Sequence, residues 1–273
     1  MTISLGCHKW TFRQTTTLQA ARIIRALGFE RMDLGNAPDL DPIEAADNMQ
    51  ETIRYLNEVK AETGIRYVDI FPQLPEPPNH PQIEKRRRSR EYLGKWFATA
   101  AEVGLEGVTL SPGPYWPGHT LEEDFERAAE EMHLAVKKGQ EYDLLTRIEP
   151  HVSSVTWTPS LAVQMVEAVP GLTLTVDHSH FIFHDIPYEQ IALMHPHASH
   201  WHARQAKPGD ICCTTEEGEI DFERIVTELK ETGYEGTICL EFTPGKWMTC
   251  GYVDCVTETL ALTEQLKGYL AQT

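Results

Sequence analysis

The feature that most constrains the fold is a regular alternation of short apolar segments with longer amphipathic ones. Eight apolar segments have the length and composition of buried strands, and they cover residues 3–7, 31–34, 65–71, 107–110, 144–148, 172–176, 198–202 and 237–240. Between them, hydrophobic residues recur at the spacing of a helix that buries one face, as at Phe222, Ile225, Val226 and Leu229. Strands that alternate with helices predict a parallel sheet.

The joints between helices and strands repeat as well. Four glycines each follow a helical pattern and precede an apolar residue, namely Gly28, Gly64, Gly104 and Gly233. This pattern is typical of helix ends at which glycine takes the left-handed conformation. Eight strand and helix units predict a (β/α)8 TIM barrel, formed as a single domain by residues 1–273. An open doubly wound sheet is the alternative, but no glycine-rich dinucleotide fingerprint follows the first strand.

The charge of the chain restricts its partners. Forty-one acidic side chains against 24 basic ones give a net charge of -17, which repels phosphate backbones and argues against a nucleic acid partner. The first residues lack the basic and apolar regions of a secretory signal, and no apolar run approaches the length of a membrane span. We therefore expect a cytoplasmic protein that has no membrane partner and binds a small molecule.

Ionisable residues collect where the predicted strands end. The carboxyl ends of the strands carry the active site in a TIM barrel. Seven of the eight strands end in such residues, which are His8, Asp33, Asp69, Glu149 with His151, Asp177 with His180, His202 with Arg204, and Glu241. Buried strand ends rarely hold so many ionisable groups unless something pairs with them. The pattern predicts a ligand site at this end of the barrel.

Four of these residues follow or end consecutive strands, so their side chains can converge near the barrel axis. They are Glu149, Asp177, His202 and Glu241. Three carboxylates and one imidazole form an oxygen-rich set that suits Mn2+ first, with Mg2+, Co2+ and Zn2+ as alternatives. The other interpretation is that each residue is separately a loop carboxylate or a core histidine. That interpretation requires four such residues to fall by chance at the same end of adjacent strands. We therefore predict that the four residues bind a single divalent cation.

In order along the chain, the segments GCHKWTF, VDHSHF, WHARQ and CLEFTP resemble the xylose isomerase-like barrel superfamily. This superfamily contains sugar isomerases and epimerases, hydroxypyruvate isomerase, ketose 3-epimerases, inosose dehydratase and endonuclease IV. The resemblance implies that the same four residues bind one divalent ion and that His180 and Arg204 contact substrate. It also implies that Glu149 and Glu241 exchange the substrate proton from opposite faces. Gln205 stands where many relatives have Asp, and Asp33 where Glu is usual, which leaves the substrate open.

The predicted reaction follows from the chemistry of such a site. A divalent ion on a carbonyl and its neighbouring hydroxyl makes the adjacent C–H acidic, and carboxylates on opposite sides can move that proton. We therefore predict a metal-dependent isomerase or epimerase that acts on a small polyhydroxy carbonyl compound. The alternative is a lyase, a decarboxylase or dehydratase of a sugar-derived keto acid, in which Arg204 clamps a carboxylate. Arg204 can instead pair with Asp177 or Glu241.

Further residues are candidates for substrate contacts because they lie on strand ends or on the loops that follow. This group comprises His8, Trp10, Asp69, Trp116, His151 and Lys246. Two other functions stay open at this stage. A nuclease is disfavoured by the acidic charge, and a non-catalytic sugar-binding barrel would have no activity to lose on mutation. The expected ligand is a sugar or sugar acid, and we expect a homo-oligomer.

Overall fold

The computed structural model describes residues 3–245 and 253–272, so Lys246 lies outside the described residues. Eight strands are present within these ranges: β1 Ser4–His8, β2 Arg31–Leu34, β3 Arg66–Ile70, β4 Gly107–Leu110, β5 Leu145–Ile148, β6 Leu172–Asp177, β7 Ala198–Ala203 and β8 Thr237–Leu240. They form one sheet in the order β3-β2-β1-β8-β7-β6-β5-β4, and the registered neighbours pair in parallel. Each strand lies within two residues of its predicted bounds.

The helices lie between the strands in the chain. They are α1 Thr17–Ala26, α2 Pro42–Asp47, α3 Met49–Thr63, α4 Ile83–Val103, α5 Leu121–Gln140, α6 Pro159–Ala168, α7 Ser179–Ile182, α8 Tyr188–Ile191, α9 Phe222–Glu231 and α10 Cys255–Ala271. Threonine residues begin α1 and α5 with capping boxes, in which side chains satisfy backbone groups at the helix start. The four glycines at the joints all have positive φ, as predicted.

Contacts between β3 and β4 bring the two ends of the sheet together, so that the barrel is nearly closed. The backbone N–H of Glu106 donates to the carbonyl of Val68 at 2.8 Å. Deeper in the barrel, the hydroxyl of Thr109 on β4 donates to the carboxylate of Asp69 on β3. Arg147 of β5 places Nη1 3.3 Å from the same carboxylate. These contacts join the two ends of the sheet order, and the predicted TIM barrel is confirmed.

Alternation along β7 shows how the strands direct their side chains. His200 and His202 are two residues apart, so both point into the barrel, whereas Trp201 between them packs against His178 and Tyr234. The register sets Asp177 of β6 opposite His202. The inward side chains of neighbouring strands therefore meet at the carboxyl end of the barrel. No helix in the described ranges is long and apolar enough to cross a membrane.

A partly buried cluster outside the barrel interior links β7, α8 and α9. His195 Nδ1 lies 3.0 Å from Glu228 Oε2, and its Nε2 lies 3.0 Å from His178 Nε2. Tyr188 and Trp201 contact the His195 ring, and Arg224 stacks over Tyr188. Burial lowers the pKa of His195, with Glu228 acting in the opposite direction. The folded protein therefore holds this imidazole neutral more readily than the unfolded chain does.

Replacing His195 with glutamine is expected to flatten the dependence of stability on pH. Because the folded-state pKa of His195 is lowered, the unfolded chain binds a proton that the folded protein does not, and stability falls as pH drops through 6.5. One such proton changes the free energy of unfolding by at most about 1.4 kcal/mol per pH unit. Denaturant unfolding between pH 8 and pH 5 measures the slope. His133→Gln, at an exposed position on α5, is the control. Parallel curves for wild type and His195→Gln would contradict the prediction.

Candidate active site

Four acidic and histidine side chains meet at the carboxyl ends of β5 to β8. Glu149 directly follows β5, and its N–H donates to the carbonyl of Leu110 at 3.0 Å. Glu241 directly follows β8, and its N–H donates to the carbonyl of Ala203 at 2.9 Å. Each hydrogen bond continues the strand ladder by one residue and so fixes the direction of the side chain. Asp177 and His202 lie at the ends of β6 and β7, and all four side chains are buried.

The distances within this group are short. His202 Nδ1 lies 2.6 Å from Glu149 Oε1 and 3.3 Å from Glu241 Oε2. Glu149, His202 and Glu241 each offer a ligand atom within 4.8 Å of the others, and so do Glu149, Asp177 and His180. The structure thus brings together the four residues that the sequence selects as metal ligands. We call Glu149, Asp177, His202 and Glu241 the carboxylate cluster.

Arg204 packs against the carboxylate cluster. Its Nη2 lies 2.7 Å from Asp177 Oδ2, and its Nη1 lies 3.6 Å from Glu241 Oε2. Its Nε donates to the hydroxyl of Ser179 at 2.8 Å. The guanidinium is therefore already engaged by acidic side chains, which agrees with the pairing alternative for Arg204. A carboxylate clamp at this position would have to compete with both of them.

Burial and charge act in opposite directions within the cluster. Burial raises the pKa of Glu149 and of Asp177. Burial also opposes ionisation of Glu241, but the charges of His202 and Arg204 prevail and lower its pKa. The charges of Glu241 and Glu149 raise the pKa of His202 well above its ordinary value, although burial opposes this. Ionised carboxylates in this buried cluster therefore depend on positive charge beside them.

The cluster fits a divalent cation. Asp177 Oδ2 and Glu241 Oε2 are buried and accept no hydrogen bond within the described part of the chain, although Arg204 lies near both. A buried carboxylate oxygen without a hydrogen bond is costly, and a cation satisfies it. The donor set of three carboxylates and one imidazole nitrogen is of the kind that hard divalent ions take.

Comparison with known proteins identifies the fold family. A family model described as a xylose isomerase-like TIM barrel matches residues 21–262. The chain belongs to this family. No curated protein matches the sequence at a significant level.

Solved structures share this xylose isomerase-like fold at low sequence identity. The 3-keto-D-glucoside 4-epimerase from E. coli is 16% identical, with a TM-score of 0.70 over 95% of this chain and 99% of that chain. A D-psicose 3-epimerase from Clostridium cellulolyticum H10, crystallised with D-tagatose, is 15% identical, with a TM-score of 0.75 over 98% and 99%. A xylose isomerase-like TIM barrel protein from Mycobacterium smegmatis, in complex with magnesium, is 16% identical, with a TM-score of 0.73 over 99% and 98%.

A second layer of buried polar residues supports the cluster in this xylose isomerase-like barrel. His200 Nε2 lies 2.7 Å from Asp33 Oδ2, and His202 Nε2 lies 3.5 Å from the same oxygen. Asp33 therefore contacts the side of the His202 ring that faces away from Glu149. Although burial opposes it, His200 and His202 lower the pKa of Asp33 well below its ordinary value. Sequence reasoning noted Asp33 but missed His200, whose two-residue spacing from His202 was the available signal.

Replacing Asp33 with asparagine is expected to weaken divalent cation binding by about 10- to 100-fold. The substitution keeps the shape of the side chain but removes the negative charge that orients the His202 ring and favours its Nε2–H form. Calorimetric titration with Mn2+ measures the loss. Asp47→Asn is the control, because Asp47 pairs with Lys95 on the surface at 2.7 Å, outside the barrel. Equal Mn2+ affinity in wild type and Asp33→Asn would show that Asp33 does not act through His202.

A cavity of about 540 Å³ opens above the cluster. Four of the predicted substrate contacts line it, namely Trp10, His151, His180 and Arg204, together with two members of the cluster, Glu149 and Glu241. His8 does not line it among the described residues but lies behind Trp10, with its ring 4.6 Å from Trp10 and 5.4 Å from His202. Its Nδ1 accepts a hydrogen bond from the Trp10 backbone at 2.9 Å, so His8 positions Trp10.

Two further predicted substrate contacts lie away from the described lining of the cavity. Asp69 is held in the barrel interior by Arg147 and Thr109, and it does not reach the cavity. Trp116 turns away from the described cavity lining, because its indole N–H donates to Asn79 Oδ1 at 3.0 Å. Its backbone N–H donates to Asp124 Oδ2 at 2.8 Å, which holds the loop in this position. Asp69 therefore contributes to closing the barrel, and Trp116 to packing its loop.

The remaining wall of the cavity comes from loop residues that sequence reasoning missed. These are Arg13, Phe71, Gln73, Val152, Ser153 and Thr243. The ring of Phe71 lies 5.5 Å from that of Trp10, so aromatic faces form one side. Each of these residues follows a strand, but no spacing within a loop predicts which side chain turns inward.

Proposed function

We propose that this protein is a divalent-metal-dependent sugar isomerase or epimerase that moves a proton next to the carbonyl of a small polyhydroxy substrate. The observation that carries the proposal is that Glu149 and Glu241 line one cavity and that His202 and Asp177 each lie in a close group of potential ligand atoms with Glu149. Structural neighbours described as a D-psicose 3-epimerase and a 3-keto-D-glucoside 4-epimerase support the same reaction class. A third neighbour in complex with magnesium supports a cation.

The carboxylate cluster would hold the cation, with His202 binding through Nδ1, the nitrogen that faces Glu149 and Glu241. We propose Mn2+ as the preferred ion. When bound, a divalent cation supplies positive charge that polarises a carbonyl and makes the neighbouring C–H more acidic. Asp33 contacts the opposite nitrogen of His202 and so orients the ring.

Glu149 and Glu241 are the groups proposed to move the proton. Both line the cavity, and they arise from β5 and β8, which are separated by two strands in the sheet order. Burial raises the pKa of Glu149, whereas His202 and Arg204 lower that of Glu241 against the effect of burial. Carboxylates that reach one cavity from two separate strands suit a reaction in which one accepts a proton and the other returns it.

His151 and His180 are proposed to bind substrate hydroxyls. Burial lowers the pKa of His151 to about 4, and burial together with the charge of Arg204 lowers that of His180 well below its ordinary value. Both imidazoles are therefore neutral at physiological pH, and neutral imidazoles suit sugar hydroxyls. His151 Nε2 lies 2.8 Å from Ser111 Oγ, so a substrate hydroxyl would have to replace that partner. His180 Nε2 accepts from Arg204 at 3.2 Å, which leaves the buried Nδ1–H, without a hydrogen bond among the described residues, as the donor for a ligand.

A screen in D2O tests the proposed function. The protein is loaded with Mn2+ and incubated with panels of ketoses, aldoses and sugar-derived keto acids, and NMR follows the substrate. Incorporation of deuterium next to the carbonyl without loss of carbon supports the isomerase or epimerase. Release of CO2 or loss of water would identify a lyase instead. A complete absence of exchange and of product with the metal-loaded protein would contradict the proposal.

A further inference from the structure

Arg13 is a cationic side chain on the wall of the cavity that holds Glu149 and Glu241. It is partly buried, and within the described residues no carboxylate lies within ion-pair distance of its guanidinium. In a chain with a net charge of -17, acidic partners are abundant, and many arginines have one, as Arg22 has Glu62 at 2.5 Å. Arg13 therefore presents unneutralised positive charge to the cavity.

The backbone that carries Arg13 is fixed by a buried lysine. Lys9 is fully buried, and its Nζ donates to the carbonyls of Phe12 at 3.1 Å, Arg13 at 3.2 Å and Thr15 at 2.7 Å. Three hydrogen bonds from one side chain brace the backbone of this turn. A backbone that is braced before binding loses less entropy when a ligand arrives, which favours recognition by Arg13.

The charges around the cavity favour an anionic ligand group at Arg13. The three carboxylates of the cluster would be balanced by the proposed divalent cation and the guanidinium of Arg204, which lies 2.7 Å from Asp177. Arg13 is a positive charge in excess of this balance. Arg204 is engaged by Asp177 and Glu241 and is thus a poor candidate for the same task. A guanidinium offers two parallel N–H donors, which match the geometry of a carboxylate or a phosphate.

We propose that Arg13 binds an anionic group of the substrate, a carboxylate or a phosphate, so that the substrate is an acidic sugar derivative and not a neutral ketose. This inference rests on the proposed function, because it assigns the substrate class of the same cavity. Trp10 and Phe71 form an aromatic wall for the carbon skeleton, and Arg13 follows Trp10 closely in the chain. The anionic end of the substrate then lies toward the β1 loop, and the reacting carbon lies toward the carboxylate cluster.

Calorimetric binding to the Mn2+-loaded protein tests this assignment with three matched probes. D-fructose is neutral, D-gluconate carries a carboxylate, and D-fructose 6-phosphate carries a phosphate. Wild type is expected to bind one of the two anions at least about tenfold more tightly than D-fructose, a difference of about 1.4 kcal/mol. Arg13→Gln is expected to lose at least about tenfold in affinity for that anion and less than about threefold for D-fructose. A preference of wild type for D-gluconate would identify the substrate group as a carboxylate, and a preference for D-fructose 6-phosphate would identify it as a phosphate.

Arg54→Ala is the control, because it removes the same charge from an exposed position on α3 whose side chain is 66% exposed. It is expected to leave all three affinities unchanged. The inference is overturned if wild type has no preference for either anion, if Arg13→Gln retains the preference, or if it weakens D-fructose equally. Binding is measured without turnover, so the two proposals fail separately. If Arg13→Gln loses anion binding but the metal-loaded protein exchanges deuterium into no substrate, the proposed function is contradicted and the role of Arg13 is not.

Discussion

Glu149→Gln is expected to reduce deuterium exchange into the substrate by about 10²- to 10⁴-fold, the contribution that a positioned general acid or base typically makes. Glutamine keeps the shape of the side chain but can neither accept nor return a proton at the carbonyl-adjacent carbon. The backbone N–H that Glu149 donates to Leu110 is unaffected, so the ladder between β4 and β5 remains. NMR of the substrate in D2O measures the exchange rate, and thermal unfolding confirms that the variant is folded.

Two comparisons separate a proton-transfer role from a structural one. Glu167→Gln removes a carboxylate from an exposed position on α6 and is expected to leave the exchange rate unchanged. Calorimetric titration of Glu149→Gln with Mn2+ then shows how much of the loss comes from weaker cation binding, and exchange is measured at saturating Mn2+. Exchange within threefold of wild type under those conditions would remove Glu149 from the proposed mechanism.

The barrel and the carboxylate cluster could be predicted because both depend on short-range regularities. The hydrophobic periodicity of strands and helices can be read from consecutive residues. A parallel barrel then brings the carboxyl ends of all strands to the same rim. Once the strands are placed, the residues near the carboxyl ends of β6 and β7 and those that directly follow β5 and β8 lie close together. That step needs no knowledge of side-chain packing, whereas the alignment of Asp177 with His202 depends on a register shift between Leu174 and Thr175 that only the structure shows.

The rest of the site depends on contacts between residues far apart in the chain. Trp116 was expected on the cavity because it follows β4, but hydrogen bonds to Asn79 and Asp124 turn it away. Arg13 had no local pattern at all, and only the folded loop shows that it faces the cavity. Arg204 was open to two interpretations, a carboxylate clamp or a partner of the acids, and the distance to Asp177 favours the second. Loop positions of this kind are set by tertiary structure, which the local sequence does not encode.

Removal of the cation and its return are expected to produce the largest change in stability. The cluster buries three carboxylates with Asp177 Oδ2 and Glu241 Oε2 lacking hydrogen bonds within the described ranges, so a cation bound there stabilises the folded state. A ligand at a hundredfold excess over its Kd adds about 2.7 kcal/mol to the free energy of unfolding. For a chain of this size, that corresponds to a rise in Tm of roughly 5 to 10 °C. Thermal unfolding of chelator-stripped protein, with and without Mn2+, measures it.

Asp177→Asn isolates the contribution of the cluster from general effects of salt on an acidic protein. A chain with a net charge of -17 is stabilised to some degree by any cation, and that effect acts on every variant alike. Asparagine can still accept the hydrogen bond that the Ser179 N–H donates to Asp177 Oδ1 at 2.9 Å, so the local backbone is retained. Most of the Mn2+-induced rise in Tm is therefore expected to disappear in Asp177→Asn and to persist in the surface control Asp47→Asn. An equal rise in both variants would place the cation elsewhere, because only the first variant removes a donor from the cluster.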